Sequence, residues 1–303
     1  MGYGPEIKEY SDCRICPREC GADRNAGSYG YCMSSALPRI AQYGAHRWEE
    51  PPISGTKGSG TVFFSGCNLK CIYCQNMEIS RMETGLQVDV DGLISIFLEL
   101  GRNCHNINLV TSAHFLPTVI RAISGAKEKG LSVPIVYNTS SYEKLSAIKA
   151  LKGLVDIYLP DIKYRSSRLG RVLSNAPDYF DVASAAVVEM LDQVGHLAID
   201  SEGIARKGLL IRHLVIPGET EDSFRVLEWI RDNVGKYAHL SIMSQYTPEY
   251  VREKESPYAR RVSPQEYEAV LDKAVDLGLC NVFTQDISSS STAYVPEFDQ
   301  LRR

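Results

Sequence analysis

Residues 64–76 read Phe64-Ser65-Gly66-Cys67-Asn68-Leu69-Lys70-Cys71-Ile72-Tyr73-Cys74-Gln75-Asn76. Three cysteines fall within a short span directly after an apolar, β-like run at 61–64, which predicts a ligand-binding loop at the end of a strand. Three thiolates can hold three irons of a cubane iron–sulfur cluster and leave its fourth iron open. A structural zinc ion instead prefers four ligands, usually from paired Cys-x2-Cys units. The spacing therefore favours an iron–sulfur cluster over a zinc site or a chance grouping.

The Cys-x3-Cys-x2-Cys pattern resembles the cluster signature of the radical S-adenosylmethionine superfamily. Its flanks, Gly66-Cys67-Asn68 and Cys74-Gln75-Asn76, are similar to the branch of glycyl-radical-enzyme activating enzymes, such as pyruvate formate-lyase activating enzyme. The resemblance implies a [4Fe-4S] cluster on Cys67, Cys71 and Cys74, with S-adenosylmethionine at the open iron. It also implies reductive cleavage of S-adenosylmethionine to a 5′-deoxyadenosyl radical, which abstracts a hydrogen atom. The implied partners are a glycyl radical enzyme and a reduced ferredoxin or flavodoxin-type electron donor.

Length and composition limit the other classes of protein. The chain has 303 residues, 44% of them hydrophobic, and a net charge of −4, so nothing predicts binding to nucleic acid or to an anionic membrane. No apolar run is long enough for a membrane-spanning helix, and no signal peptide is visible, so the cytoplasm is expected. Nine cysteines in such a chain indicate metal ligands or catalytic thiols rather than disulfides. Cys104 and Cys280 stand apart and are expected to pack as small apolar residues.

A second cysteine group lies near the start of the chain. Cys13, Cys16, Cys20 and Cys32 are separated by two, three and eleven residues, in a stretch too poor in apolar runs to form its own core. A bound metal is therefore expected to stabilise the fold of this segment. Four thiolates suit a zinc ion or a second [4Fe-4S] cluster, and both alternatives stay open. The Cys-x2-Cys-Pro-Arg-x-Cys opening is similar to that of an uncharacterised branch resembling the activating enzymes.

The remaining chain alternates short apolar runs with helical patterns, which predicts an α/β fold with a parallel sheet, a partial (β/α)6-type barrel. We expect a cysteine-rich appendage and lead-in at 1–52, the barrel at 53–290 and a tail at 291–303. Helix starts are predicted at Asp91, Pro117 and Thr220, and Ser140 with Glu143 predicts a capping box. The predicted strands are 61–65, 106–111, 133–138, 154–159, 208–215, 238–243 and 281–285.

In such a barrel, functional residues lie at the carboxyl ends of the strands. Asp161 and Lys163 follow the fourth strand, and their alternation places both side chains on one side. Arg212 lies in an apolar strand and needs a ligand or a carboxylate as its partner. Asn138 is predicted to bind the ligand and Ser140 to cap a helix. His114 is expected to act on the substrate or to be only hydrogen-bonded, and Gln245 is a further candidate.

The resemblance assigns several of these residues to the cofactor. Tyr73 occupies the position of an aromatic residue near the adenine, although it could instead only pack beneath the loop. Asp161 and Lys163 match an Asp-x-Lys that contacts the ribose and carboxylate region, and Arg212 matches an arginine facing the cofactor. The family's Gly-Gly-Glu segment is absent after the second strand. Its role is predicted to fall to the carbonyl groups of Thr111, Ser112 and Ala113.

Two further functions remain as alternatives. The missing Gly-Gly-Glu segment, the lack of a histidine after the sixth strand and the four-cysteine appendage are compatible with a radical enzyme that modifies a small molecule or a peptide. A non-catalytic module that binds iron–sulfur or zinc would use the same cysteines without cleaving S-adenosylmethionine.

Overall fold

The structure, a computed structural model, describes residues 8–81, 84–251 and 253–286. Seven strands in this part of the chain form a continuous parallel run in the order β10, β9, β8, β6, β5, β4, β2. Strand β1 pairs antiparallel with β2 and with β3, and β7 pairs antiparallel with β8. The two ends of the sheet do not meet, so the sheet is an open partial barrel. The strands are β1 Arg39–His46, β2 Ser59–Phe64, β3 Leu86–Gln87, β4 Ile107–Val110, β5 Ile135–Thr139, β6 Ile157–Pro160, β7 Ala198–Ile199, β8 Ala205–Leu214, β9 His239–Met243 and β10 Asn281–Thr284.

Helices cover the sheet between successive strands. Short 3-10 turns lie at Lys8–Tyr10, Ala113–Phe115 and Pro248–Tyr250. No described helix is long and apolar enough to cross a membrane. The α-helices are α1 Pro51–Ser54, α2 Met77–Ser80, α3 Val90–Gly101, α4 Leu116–Glu128, α5 Leu145–Ala150, α6 Ser167–Ser174, α7 Tyr179–Val194, α8 Thr220–Asn233 and α9 Pro264–Asp276.

The core forms between the parallel strands and these helices. Every residue of β2, β4 and β6 is buried, as expected for strands covered on both faces. Helix α3 buries Leu93, Ile96 and Phe97 on one face and packs against α4. The fold class predicted from the sequence is confirmed, and all seven predicted strands are present with ends shifted by a few residues.

Two predicted helix caps differ from the structure. Helix α3 is capped by Asp89, whose side chain accepts a hydrogen bond from Gly92 N at 2.9 Å, and not by Asp91. The predicted capping box of Ser140 and Glu143 does not form, because α5 begins only at Leu145 and has no side-chain cap. Glu143 is instead buried and accepts hydrogen bonds from two hydroxyl groups of β5.

The region expected to be an appendage and lead-in is joined to the sheet. Residues 39–46 form β1 and pair with β2 from Ile40 opposite Phe64 to His46 opposite Ser59. Strand β1 thus belongs to the sheet, although it precedes the predicted boundary at residue 52. The predicted tail at 291–303, and the last residues of the predicted barrel at 287–290, lie outside the described residues.

Candidate functional site

The three-cysteine loop follows β2 at the carboxyl edge of the parallel sheet. Gly66 N donates to Ile79 O at 2.8 Å, and His114 Nε2 lies 2.9 Å from Ser65 O, so the loop is fixed at its start. Gly66 has a φ of +85°, and a Cβ atom there would lie 2.4 Å from Ser34 Oγ and 2.5 Å from Cys32 O. Only glycine fits this position, because the backbone of the first cysteine group fills the space.

The thiols of Cys67, Cys71 and Cys74 border one cavity. Leu69 N donates to Cys67 Sγ at 3.3 Å, and Ser174 Oγ donates to Cys71 Sγ at 3.0 Å. Burial, together with the charges of Cys71 and Cys67, raises the pKa of Cys74 to about 12, so binding of a metal cluster would have to release its proton.

This donor set fits a cubane cluster. Within the described residues, no three His, Cys, Asp or Glu side chains lie close enough together to hold a single metal ion. A cubane does not require such convergence, since each thiolate binds its own iron. The N–H and O–H groups that donate to two of the sulfurs are contacts of the kind that tune iron–sulfur clusters.

The cavity has a volume of about 550 Å³ and is lined by residues at the carboxyl ends of the parallel strands and, from the other end of the sheet, by residues 46–51 at the end of β1. Its size is within the range of pockets that bind small molecules or cofactors. Besides the three cysteines, the predicted site residues that line it are Tyr73, Thr111, Asn138, Ser140, Asp161, Lys163, Arg212 and Gln245.

Asp161 and Lys163 form an ion pair inside this cavity. Lys163 Nζ lies 2.6 Å from Asp161 Oδ2, and both side chains are mostly buried. Burial opposes protonation of Lys163, but the negative charge of Asp161 outweighs it and raises the pKa of the lysine. The hydroxyl of Tyr179 lies 2.9 Å from Ser140 O and 2.9 Å from Asp161 O, and it accepts from Lys163 N at 3.1 Å. Tyr179 thereby links the ends of β5 and β6.

The segment after β4 agrees only in part with its predicted role. Thr111 lines the cavity with a φ of +59°, a backbone conformation that is unfavourable for a β-branched residue. Ser112 and Ala113 are not among the residues that line the cavity, and their carbonyl groups accept from Phe115 N and Leu116 N within a 3-10 turn.

His114 is a buried structural histidine. Burial and the charge of Arg24 lower the pKa of His114 to about 3, so the ring is neutral. Its ring packs against that of Phe115, with centroids 4.2 Å apart, and it is not among the residues that line the cavity. Its contact with Ser65 O makes it a support for the cysteine loop.

Tyr73 is buried and packs its ring against Tyr246, with centroids 5.1 Å apart. Asn138 lines the cavity, and its carbonyl accepts from Thr111 N at 3.0 Å, which fixes the strained residue. Gln245 lines the cavity, and its Nε2 donates to Met243 Sδ at 3.5 Å.

Arg212 is held by two carboxylates that the sequence did not assign to the site. Its Nε donates to Glu50 Oε1 at 2.8 Å, its Nη2 lies 2.6 Å from Glu50 Oε2, and Nη2 also contacts Glu49 Oε2. Burial opposes ionisation of Glu50, yet the guanidinium lowers the pKa of its carboxyl group. The predicted carboxylate partner of Arg212 is therefore present, and its guanidinium is engaged by protein.

Sequence reasoning missed Glu49 and Glu50 because they were assigned to the irregular lead-in. Strand β1 runs antiparallel to β2, so the residues that follow β1 approach the sheet from the amino ends of the parallel strands and line the cavity. Two adjacent acidic residues after an apolar run were the available signal. Tyr179 and Ser174 gave no signal, since they lie on helices far along the chain from the groups that they contact.

The four N-terminal cysteines lie beside the back of the cysteine loop. Cys13 and Cys32 are buried, Cys16 is partly buried and Cys20 is exposed. A Cβ atom on Gly30 would lie 3.1 Å from Cys20 Sγ and 3.5 Å from Cys32 Sγ, so these two thiols flank the same backbone position.

No family model matches the chain. An uncharacterized protein of Methanocaldococcus jannaschii is 26% identical over 276 residues, which cover 88% of this chain and 75% of that protein. Among solved structures, a domain of pyruvate-formate lyase-activating enzyme from Bacteroides vulgatus matches with a TM-score of 0.42 and 10% identity, over 56% of this chain and 91% of that domain.

Streptococcus suis SuiB matches this chain with 14% identity. The TM-score is 0.50 for SuiB bound to precursor peptide SuiA and 0.49 for SuiB bound to S-adenosylmethionine. The match with the peptide-bound form covers 73% of this chain and 46% of SuiB. This chain therefore spans less than half the length of SuiB. The likeness to SuiB shows a shared fold alone, an open and mostly parallel α/β sheet covered by helices.

Proposed function

We propose that this chain is a radical S-adenosylmethionine enzyme. In this proposal Cys67, Cys71 and Cys74 hold a [4Fe-4S] cluster, and S-adenosylmethionine occupies the adjoining cavity. When bound, the cluster and S-adenosylmethionine together supply one-electron cleavage of a carbon–sulfur bond and abstraction of a hydrogen atom from a substrate. The observation that carries the proposal is that three thiols of one loop border the same 550 Å³ cavity as the buried Asp161–Lys163 pair.

The chain's own polar groups suit a ligand that carries charges of both signs. Lys163 offers an ammonium group to a carboxylate, and Asp161 offers a carboxylate to an ammonium group or to hydroxyl groups. Tyr179 holds both residues in place through the backbone of the strand end. Pre-organised charges in a mostly buried site orient a ligand at little cost in side-chain ordering.

Exclusion of water is the other contribution of the protein. Tyr73 and Tyr246 pack together beside the loop, and the sulfurs of Cys67 and Cys71 accept hydrogen bonds from protein groups. Tyr73 also lines the cavity, so this buried aromatic pair limits the access of solvent to the cavity at the cysteine loop.

In the finer form of the proposal, the enzyme is similar to glycyl-radical-enzyme activating enzymes. Its substrate would be a glycine residue of a partner protein, and its electron would come from a reduced ferredoxin or flavodoxin-type protein. The flanks of the motif, Gly66-Cys67-Asn68 and Cys74-Gln75-Asn76, support this form.

A specific observation supports the modification of a small molecule or peptide as the second candidate. The guanidinium of Arg212, which the resemblance directs toward the cofactor, is engaged by Glu49 and Glu50. These two carboxylates carry one negative charge more than the single arginine compensates, so this part of the cavity differs from the activating-enzyme pattern and favours a cationic group.

Cleavage of S-adenosylmethionine tests the proposal. The protein reconstituted with iron and sulfide under anaerobic conditions should release 5′-deoxyadenosine when it is reduced in the presence of S-adenosylmethionine. Cys71→Ala should abolish this release, whereas Cys104→Ala, which alters another buried thiol, should retain it. Absence of cleavage by a fully iron-loaded protein would favour the non-catalytic module. Deuterium transfer from a labelled glycine of a partner protein, or from a labelled peptide, separates the two enzyme candidates.

A further inference from the structure

Glu49 and Glu50 form an acidic floor, which the segment after β1 contributes to the cavity. Their side chains are only 8% and 7% exposed, and both lie against a single guanidinium, that of Arg212. One arginine compensates one of the two carboxylates, so the acidic floor keeps a net negative charge in a largely buried place. An uncompensated carboxylate is costly there unless a cation binds to it.

The other basic side chains of the cavity do not supply this cation. Lys163 is paired with Asp161 at 2.6 Å. Arg47 is exposed, and its Nη1 donates to a backbone carbonyl at 2.6 Å. Burial and the charge of Arg212 lower the pKa of His46, so its ring is neutral at physiological pH. In the part of the chain that the structure describes, no basic residue except Arg212 lies within ion-pair distance of the two carboxylates.

A second observation at the acidic floor is a buried acceptor without a partner. Asn108 is fully buried in β4, and its Nδ2 donates to Glu49 Oε1 at 2.8 Å. Its Oδ1 has no hydrogen-bond partner among the described residues. The amide cannot be turned over to avoid this, because Oδ1 would then face the carboxylate of Glu49. A buried oxygen without a partner is costly, so it indicates a place for a donor group of a bound ligand.

The unpartnered oxygen and the acidic floor can share one donor group. Oδ1 and Nδ2 belong to the same planar amide, so Oδ1 lies close enough to Glu49 for one head group to contact both. Each oxygen of Glu49 already accepts one hydrogen bond, Oε1 from Asn108 and Oε2 from Arg212, and keeps one further lone pair. These separate acceptors do not offer the open carboxylate edge that a guanidinium fork binds. A compact ammonium with three rotatable N–H donors matches them better.

We propose that the acidic floor and Asn108 Oδ1 form a subsite for a protonated amine of the substrate. The inference rests on the proposed function and names the substrate class of the same cavity: an aliphatic primary amine, carried by a small molecule or by a lysine side chain of a peptide. The ammonium group donates to Glu49 and to Asn108 Oδ1, and its charge neutralises the acidic floor.

The position of the acidic floor separates the amine from S-adenosylmethionine. Asn108 is the second residue of β4 and Thr111 follows the last, so about 10 Å of extended chain lies between them. Thr111 belongs to the carboxyl edge of the sheet, as do the cysteine loop and the pair of Asp161 and Lys163. The cofactor of the proposed function is bound at that edge, so the amine and the cofactor occupy different parts of the cavity and bind together.

Equilibrium dialysis with the whole reconstituted chain tests the subsite. The probe is Nα-acetyl-lysine methylamide, and its control is Nα-acetyl-norleucine methylamide, which lacks only the ammonium group. The lysine probe should bind about tenfold more tightly than the norleucine probe, or better, because only the lysine probe reaches Glu49 with a charge. Saturating S-adenosylmethionine should not weaken the binding of the lysine probe.

Variants assign the binding to the acidic floor. Glu49→Gln keeps the size of the side chain and should weaken the lysine probe by about ten- to a hundredfold, because a charge-assisted hydrogen bond is lost. The affinity for the norleucine probe should stay the same in this variant. Glu128→Gln, at an exposed position at the end of α4, is the matched control and should bind both probes as the wild type does. Equal weakening of the two probes by Glu49→Gln would contradict a subsite for the ammonium group.

The outcomes separate this inference from the proposed function. Equal affinities of the two probes in the wild type overturn the subsite, even if no variant folds. Competition between the lysine probe and S-adenosylmethionine also overturns it, because the acidic floor would then belong to the cofactor. Amine binding that depends on Glu49, in a chain that does not cleave S-adenosylmethionine, keeps the amine site and refutes the proposed function.

A third probe, pentylammonium, identifies the source of the amine. Tighter binding of the capped lysine than of pentylammonium supports a peptide substrate, and the reverse order supports a small amine. Failure of both amines to bind overturns the subsite.

Discussion

Glu143 provides the sharpest test of the packing beneath the site. It is 2% exposed and accepts from Tyr137 Oη at 2.8 Å and from Thr139 Oγ1. No cation among the described residues forms an ion pair with it. Burial raises the pKa of Glu143 from 4.5 to about 7, against the opposing effect of the two hydrogen bonds.

The sign and the size of the effect follow from proton linkage. Between the unfolded and folded pKa values, the folded chain retains a proton on Glu143 that the unfolded chain has released. The free energy of unfolding therefore decreases as the pH rises through this interval and levels off above it. Over the whole interval, the contribution of Glu143 decreases by about 3 kcal/mol. Glu143→Gln removes this dependence, because an amide does not titrate.

Urea unfolding under anaerobic conditions, at several pH values between about 5.5 and 8.5, measures the effect. We expect the unfolding free energy of Glu143→Gln, relative to the wild type, to increase by about 2 kcal/mol across this range. Glu128→Gln, at an exposed position at the end of α4, is the matched control and should show no such trend. A constant difference between Glu143→Gln and the wild type would mean that Glu143 is ionised throughout, and the assignment of a buried, uncompensated carboxyl group would be wrong.

Three further predictions concern the loop and the cavity. Gly66→Ala should destabilise the chain by about 1–3 kcal/mol more than Gly27→Ala, because both glycines have a φ of +85° but only Gly66 lacks space for a Cβ. Thermal unfolding and the iron content of the reconstituted protein measure the difference. Equal losses of stability in the two variants would contradict the close contact at Gly66. Arg212→Met should lower the free energy of unfolding by about 3–5 kcal/mol, because it leaves the charges of Glu49 and Glu50 uncompensated. Addition of Glu49→Gln and Glu50→Gln to this variant should restore most of that stability in urea unfolding. If no stability is restored, the loss is not an effect of charge. Asp161→Asn should weaken the binding of S-adenosylmethionine by about ten- to a hundredfold in equilibrium dialysis. Asp272→Asn, at an exposed position, should leave the affinity unchanged. Unchanged affinity in Asp161→Asn would mean that the ligand binds elsewhere.

The fold and the cysteine loop could be predicted because local patterns determine them. The parallel strands are short apolar runs between helical patterns, and each was recognisable without its neighbours. The pair of Asp161 and Lys163 follows from alternation along one strand end, so their shared side was also predictable.

The prediction of a helix cap at Ser140 and Glu143 was wrong because the same local sequence pattern is compatible with two structures. Ser140 and Glu143 have the spacing of a capping box, but Glu143 is satisfied by Tyr137 and Thr139 of the preceding strand. A buried carboxylate with two hydroxyl donors is a tertiary arrangement, and the pattern of neighbouring residues does not distinguish it from a cap. The 3-10 turn in which the carbonyl groups of Ser112 and Ala113 accept hydrogen bonds was likewise not predicted from the sequence.

Ion pairs between residues far apart in the sequence could not be predicted from local sequence patterns. Arg212 required a partner by the physical argument of burial, and that requirement was correct. The identity of the partner was not accessible, because Glu49 and Glu50 lie more than 160 residues earlier in the chain. Only the antiparallel direction of β1 brings them to the cavity.

The N-terminal segment has the same long-range character, and this argues for a role in the site rather than for a separate domain. Cys32 O, Ser34 Oγ and the side chain of Arg18 contact the backbone of residues 66–69, and Arg24 fixes the carbonyl of His114, which supports the same loop. A displacement of this segment would release the start of the loop on which the three thiols are placed. Because the two cysteine groups share these contacts, a change in the backbone of the first group should disturb the geometry of the second.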